Sequence, residues 1–438
     1  MAGAGRTSTL HHAKASWGMT LSLDDIFHAA WIMDSYSIDV LESVLVANPD
    51  YELVLFDRLP PEQRELLKDL LRDPNFYGIL RPAGKTNLGV KSVSRDIALL
   101  YFTMQQPGRL PEYVQASMGP DARTQITRLI LDGVLALQQD GKLLSGPGAA
   151  AVLCGRGESR TGVTEPAGFL YRLSLEALRY AEALDLTDSV ALSARLYGYN
   201  RLPLTPRWKH MLAGPQGVTT YLRLHHAPVR ELLQREWLPA PSAANNDGWL
   251  VWQSRRLSTS ASFSERGSVG CKLYISVSPE GLREAFPSIL LALTHSRARA
   301  FKVGKNASGL LRPDKMVAYF GSLPDLMDTS ERLKQALAGC AAHGVPFTAE
   351  ITDDGLLSWG ADPPMQDHAV PWIAIESWRL WVTNRLAVAL ISARNDNSSS
   401  LPPWEFALQR LQLEGIDTRS WAPPGADWKP GLAGGANA

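Results

Sequence analysis

Cysteine is scarce in this chain: three in 438 residues, at Cys154, Cys271 and Cys340. They form no CxxC pair and no even set, which argues against a disulfide framework or a cysteine zinc site. Such sparse cysteine suits a reducing cytoplasm. Net charge is lacking too: 44 Lys plus Arg balance 44 Asp plus Glu. The chain as a whole therefore exerts no pull on nucleic acid or an anionic membrane, and any cationic site must be local. No apolar run approaches the roughly 18 residues of a membrane span. There is no fixed-period repeat, phosphate loop, Ser/His/Asp set, nucleophile elbow or kinase motif. His225-His226 has no partner at metal-ligand spacing, and no metal site is predicted.

What remains is a globular composition, 45% hydrophobic and 20% charged, with length for two or three domains. The predicted class is α+β, with a mainly helical N-terminal half and an α+β C-terminal half. Residues 1–17, rich in Gly, Ala, Ser and Thr, read as a flexible tail rather than a secretory signal. A helical domain is expected over 18–155, a second helical region over 165–238, an α+β domain over 248–421, and a disordered tail over 422–438. Gly146–Glu165 reads as a linker, and the run Pro239–Asp247 as the main domain boundary.

Within the first domain, helices are predicted over about 20–72. Ser94 caps another helix through Ile97, Leu100, Tyr101 and Met104. A short one follows Pro111, and a third spans Ala122–Leu135 with Ile126, Ile130 and Val134 on one face. Asp140-Gly141 tolerates positive φ and so closes a tight hairpin. Three helices and a hairpin are winged-helix-like. Arg123 and Arg128, offset by Asp121 and Asp132, give the third helix too little charge for DNA. Leader-peptide binding, by analogy of fold, or a purely structural role remain for this segment.

The region from Cys271 to Phe320 carries the chemistry. In Cys271–Val277, Cys271, Leu273, Ile275 and Val277 alternate with Lys272, Tyr274 and Ser276, which predicts a half-buried strand. Ser278-Pro279-Glu280 is a helix start, with cap, first-turn proline and an acid near the positive end of the helix dipole. That helix runs to about His295. Strands follow at Ala298–Val303 and Lys315–Phe320, then a helix from Thr329 and a strand at Pro346–Ile351. The order is β-α-β-β-α-β, whose usual arrangement places the first and third strands side by side and both helices on one face. Lys272 and Tyr274 would then point from the open face beside Lys315 and Tyr319. Between Arg297 and Lys315 six cations (Arg297, Arg299, Lys302, Lys305, Arg312, Lys315) meet one anion, Asp314. A phosphate is the natural guest for such a set. Solvated strand lysines that protect a sheet edge are the plain alternative, which stays open on the sequence.

Lys-Leu-Tyr-Ile-Ser-Val-Ser-Pro-Glu, followed by Phe-Lys-Val and Asp-Lys-Met-Val-Ala-Tyr-Phe, resembles the phosphothreonine and phosphoserine lyases: the type III effector lyases, the lyase domains of lanthipeptide synthetases and the HopA-like lyases. The resemblance covers about residues 250–390. It implies β-elimination of phosphate from phosphoserine or phosphothreonine without metal or organic cofactor, giving a dehydroamino acid. Lys272 would match the strand lysine that removes the α-proton. Tyr274 stands where the family often has the histidine that protonates the leaving phosphate. Lys302, Lys315 and Arg312 would bind phosphate, with Arg299 and Lys305 as further cations. His295, His343 or His368 could supply an acid in place of Tyr274. Trp372, Trp378 and Trp381 read as core packing. The partners implied are a phosphorylated peptide or protein, a separate kinase and a leader peptide. A ribosomally made peptide under maturation and a host phosphoprotein met by an effector fit equally. The reading from another class is a non-catalytic protein whose basic sheet holds a phosphopeptide or leader peptide for a partner enzyme.

Overall fold

The computed structural model describes residues 38–84, 88–153, 168–214, 216–240, 248–256, 270–363, 376–395 and 401–423. The expectations for the N-terminal tail and first helix, for Cys154, His368 and Trp372, for most of the Pro239–Asp247 run, and for the end of the C-terminal tail lie outside these residues. The described residues are a mixture of helix and sheet, consistent with the α+β class.

The first described segment is richer in strand than its sequence suggested. β1 (Leu45–Ala47) and β2 (Tyr51–Leu55) fall inside the predicted helical stretch, ahead of α1 (Pro61–Leu67). The run Tyr51-Glu-Leu-Val-Leu has the two-residue alternation of a strand, and β2 pairs antiparallel with β3 (Phe76–Pro82), which pairs with β4 (Lys91–Ser94). Ser94 then caps α2 (Arg95–Thr103), its Oγ accepting from the Ile97 N–H. α3 (Glu112–Met118) and α4 (Ala122–Leu131) follow, then the hairpin β5 (Leu135–Gln139) and β6 (Lys142–Leu144), closed through Asp140 and Gly141 at φ 51° and 74°. β1 adds itself to that hairpin. Gly146–Leu153, expected as linker, is a helix, α5. Its three consecutive alanines favour helix more than the flanking glycines oppose it.

α6 (Phe169–Glu182), α7 (Ser189–Tyr197), α8 (Pro206–Met211), α9 (Gly217–Tyr221) and α10 (Ala227–Glu236) lead into β7 (Trp237–Pro239). β7 pairs with β8 (Trp249–Ser254), so the chain enters the large sheet before the run taken as a boundary. β9 (Cys271–Ile275), α11 (Pro279–Thr294), β10 (Ala300–Gly304), the short α12 (Ala307–Leu310), β11 (Met316–Phe320) and α13 (Leu323–Ala336) come next. Ser278 caps α11 as expected, accepting from the Gly281 N–H. α13 begins earlier than Thr329, because Ser322 caps it through the Asp325 N–H. β12 (Ala349–Glu350), β13 (Leu357–Ala361), α14 (Trp378–Arg394) and α15 (Pro403–Leu413) complete the described elements.

The seven-stranded sheet has the order β12-β13-β9-β11-β10-β8-β7, antiparallel throughout. β9 and β11 are neighbours; β13 lies on the other side of β9, and of the predicted strand Pro346–Ile351 only Ala349–Glu350 pairs, at the sheet edge. Cys271, Leu273, Ile275, Phe301, Val303, Ala318, Leu357 and Trp359 face the main core, which α11 and α13 close with Leu282, Phe286, Ile289, Leu290, Leu326 and Leu333. The opposite face is not open. Tyr274, Val317 and Val345 pack together there. The Trp378 indole lies so close over Gly360 that an added Cβ would sit 2.4 Å from its ring. Trp378 and Trp381, 0% and 2% exposed, are core side chains.

Candidate active site

The covered face holds the cations. β-pairing sets Lys272 opposite Tyr319 on one side and Gly360 on the other. Lys302 lies opposite Val317 and Val251, two residues along from the pairing of Gly304 with Trp249. The two-residue strand period thus puts Lys272, Lys302, Tyr319 and Trp249 on one face. Lys272 is 8% exposed. Its Nζ lies 2.5 Å from both carboxylate oxygens of Asp362, just beyond β13. Asp362 is itself held: its Oδ1 accepts from the Trp378 N–H at 3.0 Å, at the start of α14.

Lys302 differs. Its ammonium lies 4.2 Å from the centre of the Trp249 ring and 5.6 Å from that of Tyr319, whose ring is also 5.6 Å from Lys272 Nζ. Burial pulls the Lys302 pKa down to about 8, and the positive charges of Lys272 and Arg312 act in the same direction. Asp314 and Asp362 oppose the shift without overcoming it.

Arg312 is clamped by Asp314, with Nε and Nη2 each 2.8 Å from a carboxylate oxygen, and Nη2 donates to the Tyr197 hydroxyl at 3.1 Å. The guanidinium also faces Trp249, 5.1 Å from its ring centre. Arg379, 1% exposed, approaches the other side of Asp314 at 2.9 Å. Burial would raise the Asp314 pKa, but Arg379 and Arg312 outweigh it and hold the carboxyl well below its usual range. Lys272, Lys302, Arg312 and Arg379 thus surround the Asp314 and Asp362 carboxylates, a net charge of +2 over these six groups in a chain with none overall.

The remaining predicted residues separate into three groups. Tyr274 shares the face but is 3% exposed, and burial, reinforced by Asp362, lifts its hydroxyl well above the ordinary phenol value. Lys315 is fully buried and donates to the Val277 carbonyl and to His343 Nδ1, both at 2.9 Å. Its ammonium is thus committed to partners inside the protein. His343 Nε2 lies 2.7 Å from the Asn200 carbonyl, which fixes the tautomer with hydrogen on Nε2 and leaves Nδ1 to accept from Lys315. Arg299 is exposed on the opposite strand parity, its guanidinium against Gly321, and Lys305 is exposed in the turn after β10. His295 is exposed beyond α11.

Asp362, Tyr197 and Arg379 complete the arrangement and carried no signal in the sequence. Arg379 stands between Trp378 and Trp381 in a helix that also carries Arg385 and Arg394, so nothing local singled it out. The cluster can bind a dianion by charge and offer a lysine amine close to neutrality.

No family model matches the sequence, and no curated protein matches it. Among solved structures, an effector protein from Pseudomonas syringae pv. tomato strain DC3000 is similar, with 12% identity and a TM-score of 0.38 over 57% of this chain and 96% of that one. An effector from Pseudomonas syringae pv. syringae strain 61 aligns over the same shares with 14% identity and a TM-score of 0.34. The type III effector and phosphothreonine lyase OspF from Shigella flexneri aligns over 39% of this chain and 90% of its own, with 14% identity and a TM-score of 0.23.

Proposed function

We propose that this protein is a phosphoserine or phosphothreonine lyase that eliminates phosphate from a phosphorylated peptide or protein and leaves a dehydroamino acid. The observation that carries the reading is the net +2 cluster on the covered sheet face, with a lysine drawn down to about 8 inside it. A phosphate monoester dianion matches that charge. Abstraction of a weakly acidic α-proton needs a neutral amine close to an electrophilic, charge-stabilised leaving group, and preorganised cations are most effective where charge develops. A separate kinase would supply the substrate's phosphate. The winged-helix-like segment, in this reading, is where a leader or docking peptide would bind.

The test is mass spectrometry of phosphothreonine and phosphoserine peptide libraries incubated with the full chain. The expected result is loss of phosphoric acid without gain of water. Release of inorganic phosphate with a regenerated hydroxyl would mean hydrolysis and would end the lyase reading.

A second reading has its own support. Both ring nitrogens of His343 are engaged, by Lys315 and Asn200, and Tyr274 is buried with a raised pKa. A site without an evident proton donor suits a protein that holds a phosphopeptide for a partner. Intact phosphopeptide retained at stoichiometric occupancy is the outcome that would select it.

A further inference from the structure

This inference rests on the lyase reading and names the kind of substrate the site takes. We propose that a cleft between α7 and α14, beside the cationic cluster, receives the chain flanking the phosphorylated residue and selects acidic side chains there through Arg195 and Arg201.

The cleft has a volume of about 560 Å³. The end of α7 and the turn after it form one wall, with Arg195, Tyr197, Tyr199 and Arg201; α14 forms another, and Tyr180 of α6 adds a third. Tyr197 is common to the cleft and the cluster. Its hydroxyl accepts from Arg312 at 3.1 Å and lies 3.3 Å from an Asp314 oxygen, and its ring centre is 4.5 Å from the Arg379 guanidinium. An extended chain advances about 3.5 Å per residue, so two residues exceed the width of that shared ring. A peptide with its phosphate in the cluster thus brings its neighbouring residues to the cleft.

The charge of the cleft is one-sided. Arg195 and Arg201 are exposed, and neither makes an ion pair among the described residues. Arg201 reaches the Ser308 hydroxyl at 3.5 Å. Among the described residues no carboxylate lines the cleft. Glu376, behind Asn384 of α14, is 4% exposed and engaged by Asn384 and Arg385. Glu176 stands near Tyr199, outside the lining. Arg201 also lies in the field of the cluster: burial draws its pKa down, and the charges of Arg312 and Arg379 act in the same direction. A carboxylate from a ligand offsets that crowding and accepts both donors of a guanidinium edge.

The wall is built in advance. Asn200 has a φ of 63°. Its Nδ2 donates to the His343 and Gly344 carbonyls at 2.8 and 3.0 Å, and its carbonyl accepts from His343 Nε2 at 2.7 Å. The turn that carries Arg201 is therefore held before any ligand arrives, and little ordering is needed on binding. The Tyr180 and Tyr199 rings, 5.5 Å apart, give the cleft an apolar side.

The experiment compares phosphothreonine peptides of one sequence whose flanking positions are all Glu, all Gln or all Lys, converted by the full-length protein. Wild-type kcat/KM is expected to be about fivefold higher for the Glu set than for the Gln set, through KM, and lowest for the Lys set. Arg195→Glu with Arg201→Glu is expected to reverse the order, with the Lys set converted best. Should that variant not fold, Arg195→Gln with Arg201→Gln carries the test, and the advantage of Glu over Gln is expected to vanish. Equal kcat/KM for the three sets in wild type, or an advantage of Glu that survives in the variants, would overturn the inference while elimination itself stands. If wild type releases phosphoric acid from none of the peptides, the lyase reading falls and this inference falls with it.

Discussion

Lys272 and Asp362 lie 90 residues apart in the chain and meet with the ammonium 2.5 Å from both carboxylate oxygens. The pair joins β9 to the start of α14, since Asp362 also accepts from the Trp378 N–H. Replacing Asp362 by Asn strands a buried ammonium. Breaking one side of such a pair costs about 3 kcal/mol. Urea denaturation of Asp362→Asn should show a lower midpoint at unchanged m-value. A midpoint equal to wild type would mean that the pair contributes nothing.

Asp314 gives a pH signature. Its carboxyl is held well below the ordinary value by Arg379 and Arg312 against the effect of burial. A depressed carboxylate adds stability above its unfolded pKa, near 3.9, and loses it as pH falls through the lower folded value. Asp314→Asn should therefore be less stable than wild type by about 3 kcal/mol at neutral pH, with the gap narrowing only below about pH 4. A gap constant down to pH 3 would contradict the ion-pair account.

Lys315 gives a slope in the opposite range. Burial lowers its pKa to about 7, whereas in the unfolded chain it lies near 10.4. Between those values the unfolded state binds a proton that the folded state lacks, so stability rises with pH, by up to about 1.4 kcal/mol per unit. Denaturation midpoints from pH 7 to 10 should climb in wild type and much less in Lys315→Met. Parallel curves for the two proteins would show that Lys315 is ionised in its pocket.

Gly360 lies opposite Lys272 in the strand register. A Cβ there would come 2.4 Å from the ring of Trp378, which is fully buried and stacked on Trp381. Gly360→Ala should cost about 2 kcal/mol through overpacking, read as a fall in melting temperature. An unchanged melting temperature would show that α14 yields at no cost.

Inorganic phosphate probes the cluster without any peptide. At ten times its dissociation constant it should stabilise wild type by about 1.4 kcal/mol, more than chloride at equal ionic strength, and Arg312→Gln should remove most of the difference. No preference for phosphate in the wild type would mean that the cluster is not an anion site.

Much of the framework was legible because it is local. The alternation from Cys271 to Ile275, the Ser278-Pro279 helix start and the Asp140-Gly141 turn each encode their structure within a few residues. What covers the sheet was not legible. Lys272 and Tyr274 occupy the polar positions of an alternating strand, so the pattern predicted solvent. They are buried because α14 and the Val345–Phe347 segment return over that face, and nothing local to β9 encodes this return. The same long-range pairing put β13 beside β9. Lys315 looked like a site cation by its place before β11, yet its partners, Val277 and His343, lie 38 and 28 residues away in the chain.

Arg379 donates through Nε to the Pro346 carbonyl and through Nη2 to the Tyr197 carbonyl while its Nη1 meets Asp314. One guanidinium thus fastens the end of α7, the loop before β12 and the turn before β11. Positive potential and mechanical closure are vested in the same atoms, so the protein cannot shed the charge without loosening three separate stretches of its chain.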